Sequence, residues 1–352
     1  MEFLSTSEVD IQKAAAALAS GLLVAFPTET VYGLGADAFN VTALARVFQA
    51  KNRPRFDPLI IHIAEYAALS RIADIDSLNG ESAERLSILS KHLWPGPLTL
   101  ILPKRPALPD LATSGLPTAA VRFPSHPVAQ KLIRYSTGAV AAPSANPFGY
   151  LSPTQAEHVK AQLGSRVDVI IDGGRATVGV ESTVLDLSSG GRPRLLRPGG
   201  TPRERIEELI GAVEFSCGTS AGAAGAQETP VSPGQLKSHY APRTPLVLCR
   251  CGELASLPDI SGEGRLYFAP PAGKSQVLGG TTRVLSVNGD TTEAAANLFQ
   301  MLHELDALEL TRIRAEEAPT SGLGAAINDR LQRAEYACGN TCENAYENTR
   351  LP

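Results

Sequence analysis

Short apolar runs alternate with amphipathic stretches through the first 210 residues, a pattern that predicts an α/β domain. Ser7 is placed to cap a helix running through Ser20, with Gly21 as its stop. The run 22–26 then reads as a buried strand ended by Pro27, and Asn40 can cap a helix through Gln49. Further strands are predicted at 59–63, 98–102, 119–123, 139–142, 167–171 and 183–187. The second of these follows the rigid turn Trp94-Pro95-Gly96-Pro97. Helical periodicity covers 127–135 and 153–163.

Between 216 and 227 the composition collapses to small residues that bury nothing, which predicts a linker. It leads into 229–242, which is too rich in specific residues for a plain spacer. A second, smaller α/β unit of Rossmann-like pattern follows. Its strands are expected near 246–248, 265–268 and 283–287, and its helices near 292–308 and 322–333. From Cys338 the apolar period is lost and a loose tail is expected. The predicted division is a catalytic domain 1–210, a linker or lid 211–243, a second domain 244–336 and a tail 337–352.

A length of 352 residues agrees with two domains, since one core rarely organises so long a chain. No apolar run approaches the ~20 residues of a membrane span, and the acidic start lacks the order of a signal peptide. A cytoplasmic protein without a membrane partner is expected. The five cysteines lack the paired spacing of structural zinc sites. A net charge of −4 removes any global case for gripping nucleic acid, so a basic site must be local.

Two fingerprints mislead. Gly33-x-Gly35-x-x-Ala38 imitates a dinucleotide turn but has no acidic residue about 20 positions on. Gly273-Lys274-Ser275 imitates the end of a Walker A loop, yet Phe268 stands where the first glycine belongs. Chemistry is better sought in five polar clusters at predicted strand ends, where α/β sheets place ligands. They are 27–35 with Thr30, then Lys51-Asn52-Arg53 with His62, Thr118 to Arg122, Ser144-Ala145-Asn146 with Ser152, and Ser182 with Arg197. Each alone is equally a turn or a solvated helix end. Arg122, inside an apolar strand, needs an anionic partner that is either a bound carboxylate or a structural acid. Together they offer several cations and few acids, which suits an anionic substrate.

In these residues the chain resembles the threonylcarbamoyl-AMP synthase family in its long two-domain form. Lys51-Asn52-Arg53 and Ser144-Ala145-Asn146 carry the likeness, with PTETVYGLGADA, PLIIHI, LWPGPLTLIL, AVRFP, SPTQAEHV and SHYAP. The resemblance implies a YrdC-like twisted mixed sheet with helices, plus the Rossmann-like C-terminal domain. It implies an enzyme that joins L-threonine, bicarbonate and ATP, with Mg²⁺, into threonylcarbamoyl-AMP and pyrophosphate. The product would pass to downstream transfer machinery that modifies the adenosine next to the anticodon, so tRNA is met only indirectly.

Carried over by position, threonine would be held by Thr30, His62, Arg122 and Ser182. ATP would be held by Arg53, Asp57, Thr118, Ser144, Ser152, Arg197 and His239. Lys51, Arg53, Ser144 and Asn146 would serve catalysis, and His239 with Tyr240 would form a lid. Two departures stand out: Asp57 replaces an asparagine that contacts nucleotide, and Ala142 a threonine near the amino acid. Competing expectations are a double-stranded RNA-binding module without catalysis, which the net charge opposes, and a carbamoyltransferase, which needs domains and cysteine motifs not found in this chain.

Overall fold

A computed structural model describes residues 1–215, 234, 239–271 and 280–347, with side chains in the last helix to 337. The linker expected at 216–227 and the Gly273-Lys274-Ser275 turn lie outside the described residues. The chain forms two compact units, Met1–Phe148 with Pro153–Gln235, and Gly149–Ser152 with Leu236–Pro352.

In chain order the first unit contains β1 (Glu2–Leu4), α1 (Glu8–Ala19), β2 (Val24–Phe26), β3 (Gly33–Asp37), α2 (Val41–Lys51) and β4 (Ile60–Ile63). It continues with α3 (Gly80–Leu93), β5 (Leu98–Pro103), α4 (Asp110–Thr113), β6 (Thr118–Arg122), α5 (Pro127–Tyr135), β7 (Ala139–Ala141) and α6 (Ala156–Leu163). It closes with β8 (Val169–Ile171), β9 (Thr183–Asp186), β10 (Arg194–Arg197), α7 (Arg203–Ile210) and β11 (Glu214–Phe215). The strands form one mixed sheet in the order β1-β8-β2-β3-β7-β4-β6-β5-β9-β10-β11. Because β11 pairs with β10, this sheet runs past residue 210, where the sequence pattern ends the domain.

The expected caps form. The Ser7 hydroxyl accepts the Asp10 N–H at 3.2 Å, and the Asn40 side-chain carbonyl accepts the Ala43 N–H at 3.1 Å. α2 ends on Asn52 in the left-handed region, φ 52°, which turns the chain sharply between Lys51 and Arg53. Strand β3 escaped the pattern because its glycines have low strand propensity. A Cβ on Gly35 would lie 2.9 Å from Phe26 Cε1 and 3.0 Å from Val140 Cγ1, so close strand packing demands glycine there. The supposed dinucleotide fingerprint is therefore a sheet strand.

Period-two alternation divides the central strands. Ile61, Leu100, Val121 and Leu185 enter the large core with Leu44, Val47, Phe48, Leu86 and Ile206 from the helices. On the opposite face, α1 and α5 cover β2, β7 and β8 through Leu18, Leu132, Phe26 and Val140. Further along that face lies a separate small cluster, Ile60, Ile101, Ala120, Val184 and Leu196.

The second unit holds β12 (Leu246–Cys249), β13 (Glu263–Tyr267), β14 (Thr282–Val284), α8 (Thr291–Asp306), β15 (Arg312–Glu316) and α9 (Gly324–Glu347). Its sheet is parallel throughout, ordered β12-β15-β13-β14. Strand β15 went unread because Arg312, Arg314 and Glu316 alternate with its apolar residues. Helix α9 corrects the expected loose tail: it continues through Cys338 to Glu347. That stretch contains no proline, and an established helix propagates through residues that could not nucleate one.

Candidate functional site

The small apolar cluster is the floor of a polar site, and strand register brings the predicted residues to its edges. On β6, Thr118, Ala120 and Arg122 share one face; on β4, Ile60 and His62 do so. Ile60 pairs with Ala120 and His62 with Arg122, while Thr99 on β5 pairs with Arg122 from the other side. Val184 on β9 lies opposite Thr99, and Ser182 precedes it by one alternation on the same face. His62, Arg122, Thr99 and Ser182 therefore line one end of the floor, and Thr118 lies at the start of the same strand as Arg122.

Arg122 is buried and donates from Nη2 to Glu29 Oε1 at 2.7 Å; its Nε reaches the Gly96 carbonyl at 3.4 Å. Of the two partners open to it in the sequence, the structural acid is thus present. Burial alone would raise the Glu29 carboxyl. The Arg122 charge and hydrogen bond, aided by the backbone N–H groups of Glu29 and Ser125, hold it below its ordinary value. Beside them His62 is fully buried and pushed down to about 3, chiefly by desolvation and then by the Arg122 charge, so its imidazole is neutral. Its Nδ1 lies 3.2 Å from the Ile60 carbonyl, and its ring meets Phe26 edge-on.

Thr30 is buried in the β2–β3 connection, its hydroxyl 2.8 Å from that of Thr28. Tyr32 pins this connection by donating from its hydroxyl to the Gly174 carbonyl at 2.7 Å. The Ser182 hydroxyl lies 2.7 Å from Thr99 Oγ1, and Arg197 donates to the Ser182 carbonyl from Nη2 at 2.8 Å and Nε at 3.1 Å.

The second half of the site grows from the end of α2. Lys51, buried, donates from Nζ to the Ser144 carbonyl at 2.5 Å and to the Asn146 carbonyl. Burial drives its ammonium well below the ordinary value, with help from the Arg53 charge. Ser144 bridges to Gly33, which fastens the 143–146 turn to the strand following Thr30. Arg53 donates to the Asp57 carbonyl at 3.1 Å and the Pro58 carbonyl at 2.8 Å, and forms a 2.9 Å ion pair with the Asp57 carboxylate. Asp57 is raised by burial, against the opposing charges of Arg53, Lys51 and Arg197.

The expectation of few acids needs correction. Glu29, Asp57 and Glu181 are all buried in this neighbourhood, because each buried cation requires a compensating charge or dipole. Thr99 and Glu29 were missed as site groups, although a polar residue in the apolar run 98–103, like Arg122 in its own strand, is a readable signal. Ser152, His239 and Tyr240 fold with the second unit. There the Ser152 carbonyl is 3.1 Å from His303 Nε2, and the Tyr240 ring packs against Phe299 with the Arg330 guanidinium 5.0 Å from its centre. Among the described residues no three His, Cys, Asp or Glu side chains gather as a metal cage. No described helix is long and apolar enough to cross a membrane.

A mixed-sheet α/β unit whose polar clusters converge on an apolar floor is the architecture of a small-molecule enzyme site. Residues 16–199 match the Sua5/YciO/YrdC family, described as "Telomere recombination", and 201–335 match "Threonylcarbamoyl-AMP synthase, C-terminal domain". The threonylcarbamoyl-AMP synthase of Bacillus subtilis (strain 168) is 41% identical over 338 residues, 94% of either chain. That of Pyrococcus abyssi (strain GE5 / Orsay) is 41% identical over 331 residues, 93% of this chain and 94% of its own. The crystal structure of P. abyssi Sua5 complexed with L-threonine superposes with a TM-score of 0.83 at 36% identity, covering 96% of this chain and 98% of that one. The chain belongs to the threonylcarbamoyl-AMP synthase family.

Proposed function

We propose that this enzyme forms threonylcarbamoyl-AMP and pyrophosphate from L-threonine, bicarbonate and ATP, and so supplies the threonylcarbamoyl group for tRNA modification. The observation that carries the reading is the shared face of His62, Arg122, Thr99 and Ser182 beside the Lys51–Asn146 and Arg53–Asp57 clusters. Family membership adds to it, as does the likeness to a relative whose structure contains L-threonine.

Threonine fits the end lined by Thr30, His62, Arg122 and Ser182. A guanidinium there meets the carboxylate, and neutral imidazole and hydroxyl groups meet the hydroxyl. ATP fits the end with Arg53, Thr118, Ser144 and Arg197, where Asn146 and Lys51 shape the turn facing the phosphates. The threonine amine takes up bicarbonate to give an N-carboxylate with loss of water, and that carboxylate attacks the α-phosphorus and expels pyrophosphate. The chain's contribution is alignment and charge neutralisation, and alignment alone is worth about 7 kcal/mol when ideal.

Mg²⁺ is proposed to arrive on the ATP phosphates, where it would neutralise charge alongside the arginines. His239 and Tyr240 are proposed as a lid over the nucleotide, and Ser152 as a further ATP contact. The deciding experiment incubates the enzyme with ATP, Mg²⁺, threonine and labelled bicarbonate. Pyrophosphate release that needs both threonine and bicarbonate is expected; release independent of both refutes the reading.

A further inference from the structure

We propose that Glu29 holds the ammonium group of the amino-acid substrate while Arg122 holds its carboxylate, so that the buried Arg122–Glu29 pair selects zwitterions. The inference rests on the threonine-binding reading above and assigns a residue to which nothing in that reading gives a role.

Glu29 is 6% exposed and lies immediately before Thr30 in the connection pinned by Tyr32. One carboxylate oxygen, Oε1, accepts the Arg122 N–H at 2.7 Å. The other, Oε2, is buried and accepts no well-aligned hydrogen bond, although the backbone N–H groups of Glu29 and Ser125 lie near the carboxylate. A buried carboxylate oxygen without a donor is costly in a finished fold, and its natural partner is a cationic donor supplied by a ligand. The neighbourhood is otherwise well satisfied: Thr28 bonds Thr30, Thr99 bonds Ser182, and Arg197 bonds the Ser182 carbonyl. The Asp57 carboxylate oxygens likewise accept no hydrogen bond, but the Arg53 guanidinium lies 2.9 Å away as an ion-pair partner; at the amino-acid end of the site the unmet acceptor is Glu29 Oε2. His126 also faces Glu29, but its imidazole is lowered by burial and brings no charge at neutral pH.

Charge balance gives the selectivity. Arg122 and Glu29 compensate each other, so a ligand that engages one member alone leaves the other charge buried without a partner. A carboxylic acid that draws Arg122 off Glu29 meets that penalty, and so does a simple amine that draws off Glu29. A zwitterion replaces both partners at once and leaves the total charge unchanged. Lys51 cannot substitute as the ammonium's neighbour, because its Nζ is itself a donor and is committed to the Ser144 and Asn146 carbonyls.

The test is calorimetric binding of L-threonine and of (R)-3-hydroxybutanoate, which is threonine without its amine, to wild type, Glu29→Gln and Glu29→Asp. Wild type is expected to prefer threonine by about 100-fold or more, since a site built for a polar group rejects the analogue that lacks it. Glu29→Gln keeps the shape and a carbonyl for Arg122; it should lose most of that preference by weakening threonine, with 3-hydroxybutanoate bound as well as before or better. Glu29→Asp keeps the charge and should keep the preference at reduced affinity, which also covers failure of the glutamine variant to fold. If Glu29→Gln weakens both ligands equally, Glu29 only positions Arg122 and the proposal is overturned. Unchanged binding of both overturns it as well. If wild type itself binds no threonine, the functional reading fails first, and that result is separate from either of the others.

Discussion

Gly199 makes the sharpest demand on the site's geometry. It follows β10, and a Cβ there would lie 2.3 Å from the Glu181 carbonyl oxygen, 2.4 Å from Ser182 C and 2.4 Å from Thr183 N. All three are backbone atoms, so no rotamer change relieves the clash. Since real Cβ atoms essentially never come within 3.0 Å, the two segments must part by at least about 0.7 Å. Ser182 would move with them, away from Thr99 at 2.7 Å and from Arg197 at 2.8 Å. Overpacking of this kind costs about 1–3 kcal/mol. For a domain of this size that lowers the melting temperature by about 2–4 °C per kcal/mol. A misplacement approaching 1 Å in a positioning group costs up to about 100-fold in rate. Gly199→Ala is therefore expected to melt several degrees lower and to lose most threonine- and bicarbonate-dependent pyrophosphate release. Gly191→Ala, in the same hairpin with nothing within 4 Å of its added methyl, is the control and should behave as wild type. Calorimetry and the pyrophosphate assay read both variants. A Gly199→Ala enzyme with wild-type melting and threonine KM would refute the register argument.

Three further outcomes follow from the buried polar groups. Thr99→Val removes a 2.7 Å bond to Ser182; it should cost about 1 kcal/mol and raise the threonine KM about fivefold, and the effect should vanish in a Ser182→Ala background. His62 is neutral when folded and ordinary when unfolded, so its stability contribution is complete above its unfolded pKa of 6.5 and is lost as pH falls toward about 3. Denaturation between pH 6.5 and 4 should therefore be shallower in His62→Gln by up to about 1.4 kcal/mol per pH unit, and identical slopes would exclude a buried neutral imidazole. Asp57 has a raised folded pKa, so its contribution is full below 3.8 and is lost as pH rises through the folded value. Asp57→Asn should gain stability relative to wild type on going from pH 4 to pH 7, and a pH-independent difference would contradict the burial of that carboxylate.

Strands dominated by apolar residues, such as β4, β5 and β6, were legible because burial on both faces demands such runs even where one polar site residue interrupts them. Ser7 and Asn40 were legible because a cap is a local bargain between one side chain and one amide. The sheet order was not. That His62 lies beside Arg122, with Thr99 on its other flank, depends on β4, β6 and β5 being neighbours, which no periodicity encodes. The same gap hid Glu29: 93 residues separate it from Arg122, and in the sequence it is one more acid in a turn. The grouping of Gly149–Ser152 with the second unit is equally non-local.

The acids also change what the cations are for. Read along the chain, Lys51, Arg53, Arg122 and Arg197 suggest a site of several cations and few acids that suits an anionic substrate. In the folded unit Arg122 is held by Glu29, Arg53 by Asp57 and two carbonyls, Lys51 by two carbonyls and Arg197 by the Ser182 carbonyl. Unpaired, each would destabilise the domain by several kcal/mol, so these partners let the site fold with its cations buried. Binding is then an exchange of partners rather than the filling of a positive hollow. Affinity depends on how completely a ligand replaces the bonds it displaces, and a ligand with the right charge in the wrong place gains nothing. That ties recognition to geometry: the strand register that aligns His62, Thr99 and Ser182 with Arg122 decides which ligand can make the exchange without leaving a buried charge behind.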